Sequence, residues 1–235
     1  MMTQLPQQIF FDLDHTLWDY ESNSKETIQE LVEDYQTHFG RRIGFEDVYP
    51  VYSKVNAVHW DQYRKNEIDS ETLRISRWTT TFSKLGIDRG DWMERLSVDF
   101  IQNCPLKKQL MPGAEAVLDK LATVYPMHLI TNGLIDVQKI KIAQSGLDKY
   151  FGTMTTPETS GVKKPNPKIF HEALQLANCP AEHALYIGDS YAEDVQGGHN
   201  VGMQVIYFNP ENRANPDGFN EIQGLSELLP FLGLI

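Results

Sequence analysis

Residues 9–18 read IFFDLDHTLW, an apolar run that ends in two aspartates, Asp12 and Asp14, with one leucine between them. The lead-in QQIFFDLD has the length and character of a buried strand, and side chains two apart on a strand point to the same side. Asp12 and Asp14 are therefore expected close together. Neighbouring carboxylates repel, and burial raises the cost of ionising both, so the pair calls for a cation, a shared proton or a division of roles. A calcium loop starting at Asp12 needs glycine at its sixth position and glutamate at its twelfth; Leu17 and Asn23 stand there, which excludes it. On this stretch alone two readings stay open: a solvated strand end in which Asp14 or Thr16 caps the next segment, and a catalytic pair.

The whole chain narrows the classes. Its 235 residues are enough to bury a sizeable core, and 41% hydrophobic with 23% charged residues is ordinary for a globular protein, so disorder is not indicated. With 21 basic against 32 acidic residues the net charge is −11, a field that repels nucleic-acid polymers and anionic membranes. A phosphorylated small molecule would need cations placed locally. The two cysteines, Cys104 and Cys179, form no CxxC pair, which argues against a zinc site or a disulfide framework and for reduced thiols. No apolar stretch has the length of a membrane span, and MMTQLPQQ lacks the regions of a signal peptide, so a cytoplasmic protein is expected.

After Leu17 the pattern turns helical. SKETIQELVEDYQTHF places Ile28, Leu31, Val32, Tyr35 and Phe39 on one face, with Ser24 as a candidate cap. VYPVYSKVNAVHWDQYRKN, SETLRISRWTTTFSKLG and DWMERLSVDFIQN predict further helices, with Gly86 as a stop and no strand between about residues 20 and 105. The texture changes at QLMPGAEAVLDKLATVY, a Pro112-Gly113 turn and a helix leading to the strand PMHLITNG. Helix IDVQKIKIAQSG, strand FGTMTT, helix NPKIFHEALQLAN, strand HALYIGDS, helix AEDVQGGHNVG and strand MQVIYF follow. This alternation predicts an α/β fold, a doubly wound parallel sheet, with the helical stretch inserted after its first strand.

Ligands of such sheets bind outside the carboxyl ends of the strands. There the first strand brings Asp12 and Asp14, the second Thr131 and Asn132, and the fourth Gly188, Asp189 and Ser190, while Lys163 and Lys164 precede Pro165 in the loop after the third. Singly these residues are turn formers, helix caps and solvated lysines. Together they collect acids, small polar groups and a cation on one edge.

In that arrangement DLDHT, LITNG, GVKKPNPKIF and YIGDSYAED resemble, in order, the four motifs of the haloacid-dehalogenase-like hydrolase superfamily. The resemblance implies a Rossmann-like catalytic core of residues 1–17 and 108–235, with an all-helical cap domain of the first type at 18–107. It also implies a mechanism. Asp12 would attack phosphorus and form an aspartyl-phosphate, and Asp14 would act as general acid and then general base. Mg2+ would be held by the Asp12 carboxylate, the Asp14 backbone carbonyl and Asp189. Thr131 and the Asn132 backbone N–H would bind phosphoryl oxygens, and Lys164, which directly precedes the proline, would neutralise growing charge. Asp194 would complete the fourth motif and orient Lys164 or the metal's waters, while Glu193 stands where many relatives carry asparagine.

An acid two residues after the nucleophile accompanies phosphatases and phosphomutases of the superfamily rather than its dehalogenases, so the expected chemistry is on phosphate esters. The cap stretch VNAVHWDQYRKNEIDSETLRISRW resembles that of bacterial pyrimidine 5′-nucleotidases acting on nonstandard nucleotides. This makes Asn56, Trp60, Tyr63, Arg77 and Trp78 substrate candidates, whose aromatic faces suit a base. Trp60 and Tyr63, three apart on a helix, equally suit the core of the cap. The expected enzyme is a magnesium-dependent phosphomonoesterase taking a small phosphorylated metabolite, a nucleotide first. Phosphatases or phosphomutases of sugar and organic-acid phosphates share the core. A receiver module that holds its phosphoryl group is a more distant alternative, disfavoured by the acid on the first strand and by the large insertion.

Overall fold

The computed structural model describes residues 5–87 and 90–234. Strand β1 (Gln8–Phe11) is followed by helices α1 (Tyr20–Asp34), α2 (Phe45–Arg64), α3 (Ser70–Lys84) and α4 (Trp92–Asn103). Then come α5 (Ala114–Leu121), β2 (Met127–Ile130), α6 (Ile135–Gln144), β3 (Phe151–Thr155), α7 (Pro157–Ser160), α8 (Pro167–Leu176), β4 (Ala184–Gly188), α9 (Gly197–Asn200), β5 (Gln204–Phe208), β6 (Glu221–Ile222) and α10 (Leu228–Phe231). The chain divides into two compact units, Met1–Tyr20 with Lys108–Ile235, and Glu21–Lys107. Among the described residues no helix is long and apolar enough to cross a membrane, and Cys104 and Cys179 are both buried.

In the first unit the strands form one parallel sheet in the order β3-β2-β1-β4-β5-β6. β1 lies in the middle, which is why its residues Ile9, Phe10 and Phe11 are apolar without alternation and fully buried. Burying each of these side chains is worth roughly 1.5–3 kcal/mol. On one face Phe10, Ile130 and Tyr186 pack with Ile169, Phe170, Ala173 and Leu174 of α8. The chain runs outward from β1 through β2 to β3, then returns to β4 on the other side. The crevice of a doubly wound sheet opens where that order reverses, between β1 and β4.

The second unit is helical, and among its described residues there is no strand. The predicted stripe of α1 is buried: Ile28, Leu31, Val32, and beyond the helix Tyr35 and Phe39. α1 begins at Tyr20, however, and Ser24 is no cap. Its hydroxyl donates back to the Glu21 carbonyl at 3.1 Å from inside the helix. α3 starts on the Asp69 side chain, which accepts from the Thr72 amide at 2.7 Å, and gives way to Gly86 at φ +68°.

Candidate active site

The ladder runs one residue past β1, the Asp12 amide donating to the Ile187 carbonyl at 2.9 Å, and this anchors Asp12 at the crevice. There the chain turns. The amides of Thr16, Leu17 and Trp18 converge on the Leu13 carbonyl at 3.4, 2.9 and 2.9 Å, and His15 takes φ 64°, a left-handed conformation costing roughly 1–2 kcal/mol in a residue with a side chain. Strand alternation therefore stops before Asp14, and the two aspartates, expected to share one side, answer to different partners.

Asp12 faces a buried lysine. Lys164 Nζ, on a side chain only 2% exposed, donates to Asp12 Oδ1 at 2.6 Å and Asp194 Oδ1 at 2.6 Å, and lies 3.1 Å from the Ile130 carbonyl and 2.9 Å from the Tyr186 hydroxyl. Burial works against this ammonium, but the charges of Asp12 and Asp194 outweigh it and hold its proton well above the ordinary lysine range. Of the expected lysine pair it is Lys164 that is buried among acids, and Lys163 is half-buried.

Asp194 comes from a segment expected as α-helix that opens instead as a π-turn over Tyr191–Gln196, with the Asp194 and Val195 amides both donating to the Ser190 carbonyl. Its Oδ2 accepts from the Ser190 amide at 3.0 Å, and its Oδ1 takes Lys164 and Tyr186. Gly188 makes room for it: a Cβ there would lie 2.4 Å from Asp194 Cγ.

Asp12, Asp189 and Asp194 each offer an oxygen within 4.8 Å of the others. Burial, only partly offset by Lys164 and reinforced by Asp194 and Asp189, raises the Asp12 carboxyl well above its ordinary range, and burial and Asp194 push Asp189 to about 7. Three acids against one ammonium leave a deficit of positive charge that a hard divalent cation would fill. Asp194 spends its oxygens on Lys164, Tyr186 and Ser190. Asp12 Oδ2 and Asp189 Oδ1 each accept from the Thr16 hydroxyl, at 3.5 and 3.4 Å, and these two acids, less committed than Asp194, are the better ligands.

Beside this cluster, β2 delivers Thr131 and Asn132, both buried. Thr131 Oγ1 accepts from the Gly133 amide at 3.0 Å and from Gln138 Nε2 at 2.8 Å, which fills its acceptor capacity and leaves its hydrogen to donate. The Asn132 side chain fastens the lysine loop: Oδ1 accepts from the Lys164 amide at 2.7 Å, and Nδ2 donates to the Lys164 carbonyl at 3.1 Å and Glu193 Oε2 at 3.0 Å. Glu193 is thus an acceptor for Asn132.

Asp14 is met by α6. Gln138 Nε2 donates to its Oδ2 at 2.8 Å and Lys141 Nζ to its Oδ1 at 2.5 Å. Burial would raise this carboxyl, but the Lys141 charge and the hydrogen bonds from Lys141 and Gln138 hold it below the usual range. Gln138, Lys141 and Tyr186 are functional residues that the sequence reading misses. For the two on α6 a signal lies in IDVQKIKIAQ, where Gln138 and Lys141 are buried and Ile140 is 37% exposed, the reverse of an ordinary amphipathic helix.

The five residues expected to touch substrate lie in the helical unit. Trp78 is 1% exposed and packs on Tyr52, Phe82 and Phe100, so it is a core residue of that unit, and Tyr63 is buried with Trp60 edge-on at 5.6 Å. Arg77, also buried, donates to Asn56 Oδ1 at 3.2 Å, while its guanidinium lies 5.0 Å from the Phe100 ring centre and its Nε has no hydrogen-bond partner among the described residues.

The family model of haloacid dehalogenase-like hydrolases matches residues 7–202, a span reaching from β1 through the π-turn and α9. The chain belongs to that family. This hydrolase is 31% identical to pyrimidine 5'-nucleotidase YjjG of Escherichia coli K12 over 221 residues, 94% of this chain and 93% of that one. It is 29% identical to pyrimidine 5'-nucleotidase PynA of Streptococcus pneumoniae, over 95% and 94% of the two chains. Its fold matches a crystal structure of the HAD-hydrolase YfnB of Bacillus subtilis, bound to magnesium, with a TM-score of 0.87 at 23% identity, covering 98% of this chain and all of that one.

Proposed function

We propose that this hydrolase is a magnesium-dependent phosphomonoesterase, and that its substrates are nucleoside 5′-monophosphates with pyrimidines preferred. The observation that carries the chemistry is the buried Asp12–Lys164–Asp194 chain, with Asp189 completing a carboxylate cluster at the crevice. The similarity to YjjG and PynA over nearly the whole chain supports the substrate class.

Asp12 attacks phosphorus, and the ester P–O bond breaks while Asp14, charged before substrate arrives, passes to the departing oxygen a proton taken up with the substrate. Water then attacks the phosphorus of the Asp12 acyl phosphate. Asp14 takes a proton from it, and inorganic phosphate leaves. Thr131 donates its hydroxyl hydrogen to a phosphoryl oxygen beside the Asn132 amide, and Lys164 balances the charge that builds on the phosphoryl group. Mg2+, held by Asp12, Asp189 and the Asp14 carbonyl, would supply charge neutralisation that lets acids and a phosphate dianion share one pocket. The helical unit serves as the cap that selects the leaving group, with Asn56, Trp60 and Arg77 as its candidates for contact.

Phosphate release from a panel of nucleotides, sugar phosphates and phosphoglycolate tests this, with Asp12→Asn as the control. Pyrimidine monophosphates are expected to lead, and the variant to lose about 10⁴-fold or more. Sugar phosphates outpacing every nucleotide by a wide margin would remove the nucleotidase assignment and leave the chemistry standing.

A further inference from the structure

Helix α6 turns the wrong residues inward for a helix that merely packs. Gln138 and Lys141, three apart, form its buried face in line with Leu134 just before the helix, with Gln138 fully buried and Lys141 4% exposed. Gln138 commits both amide hydrogens, one to Asp14 Oδ2 and one to Thr131 Oγ1, each at 2.8 Å. The reverse orientation of that amide would set its oxygen against a carboxylate, so these hydrogen bonds define it. Gly133 keeps the space open, since a Cβ there would stand 2.0 Å from Gln138 Nε2. Lys141 takes the other Asp14 oxygen, and its ammonium is seated 4.4 Å from the Trp18 ring centre and 5.6 Å from that of Tyr20. Each carboxylate oxygen of Asp14 thus has its own donor, and one donor is shared with the threonine at the end of β2.

We propose that Gln138 and Lys141 are positioning residues for proton transfer: they hold the Asp14 carboxylate at a fixed angle to Thr131, and so to the ester oxygen of a phosphoryl group bound there. This rests on the phosphomonoesterase reading. An amide bridging the acid/base and a phosphate-binding hydroxyl ties proton transfer to the seat of the phosphoryl group, and the ammonium, fixed by two aromatic faces, removes the remaining rotation of the carboxylate.

A positioning role and a purely structural one predict different leaving-group behaviour. kcat/KM reports only events up to the first P–O cleavage. A nucleoside 5′-monophosphate must have its leaving oxygen protonated in that step, whereas 4-nitrophenyl phosphate releases a stable phenolate that needs no proton. For Lys141→Met and Gln138→Leu, kcat/KM on the nucleotide is expected to fall about 10- to 100-fold and on the aryl ester by less than about threefold, part of the 10²–10⁴ that general acid catalysis supplies. Lys141→Arg keeps a cation and is expected to recover most of the loss. Asp14→Asn sets the scale: if it shows no difference between the two substrates, the acid/base reading itself fails. If Asp14→Asn discriminates while the Gln138 and Lys141 variants lose both activities equally, lose neither or gain activity, the positioning role is overturned. Gln138→Leu introduces no charge and decides the matter should Lys141→Met not fold.

Discussion

The site holds two buried lysines, and their surroundings are opposites. Lys164 answers to two carboxylates, with a third within reach, and the acids around it are pushed up, Asp12 well above its ordinary range and Asp189 to about 7. Lys141 answers to one carboxylate, shares it with a neutral amide, and Asp14 is held down. Both regions pay desolvation; what differs is the ratio of acids to cations. Where acids are in excess, the cluster has charge that a metal could neutralise. Where the numbers match, side chains alone hold the carboxylate charged and oriented, the form in which the proposed mechanism has it take a proton from water.

Removing each cation breaks that comparison most sharply. Lys164→Met leaves Asp12 and Asp194 buried without their ammonium and is expected to cost about 3–5 kcal/mol in urea unfolding, with a loss of about 10³-fold or more in phosphate release. Lys141→Met leaves one acid that is partly open to water, 23% exposed, and should cost only about 1 kcal/mol. Equal destabilisation by the two variants would mean that the acid count does not govern the site.

Two glycines allow a gentler version. Gly188→Ala sets a Cβ against Asp194 and pulls at the Lys164 side, and about a 10²-fold loss of kcat is expected from misplacement on the ångström scale. Gly133→Ala displaces Gln138 instead, and its smaller loss, roughly tenfold, should fall more heavily on nucleotides than on 4-nitrophenyl phosphate.

The acid excess also predicts a pH dependence. Because the Asp189 pKa is raised on folding, its proton stabilises the metal-free fold below the ordinary carboxylate pKa, and that contribution is lost as pH rises through about 7. Magnesium should therefore add more stability at pH 8 than at pH 5.5, up to about 2.7 kcal/mol at a hundredfold excess over Kd. Thermal melts with magnesium and with chelator across that range check the sign, and Asp189→Asn should flatten the difference.

Much of this is legible in the sequence. β1, β2 and β4 are apolar runs ending in polar residues, so their register and the edge they share follow from pattern. The insertion showed itself through Ile28, Leu31 and Val32 at helical spacing. What escaped reading were features decided by tertiary context. β6 is two residues long, too short to carry a pattern. The π-turn that aims Asp194 looks like α-helix in sequence, because the extra residue is accommodated through bonds to Ser190. Asp14 left the strand at a turn that His15 accepts with a left-handed backbone, so its partners came from α6 and not from the neighbouring strand end. Trp78 joined the core of the helical unit because Tyr52 and Phe100 surround it, which spacing alone could not distinguish from a ligand face.

The most direct measurement is the identity of the residue that becomes esterified. Quenching the enzyme with borohydride during turnover of a pyrimidine nucleoside 5′-monophosphate reduces an acyl phosphate to an alcohol, which peptide mass spectrometry locates. Conversion of Asp12 to homoserine is the predicted result, with Asp14 untouched. The same change found at Asp14 would contradict the assignment of nucleophile and proton carrier on which the rest is built.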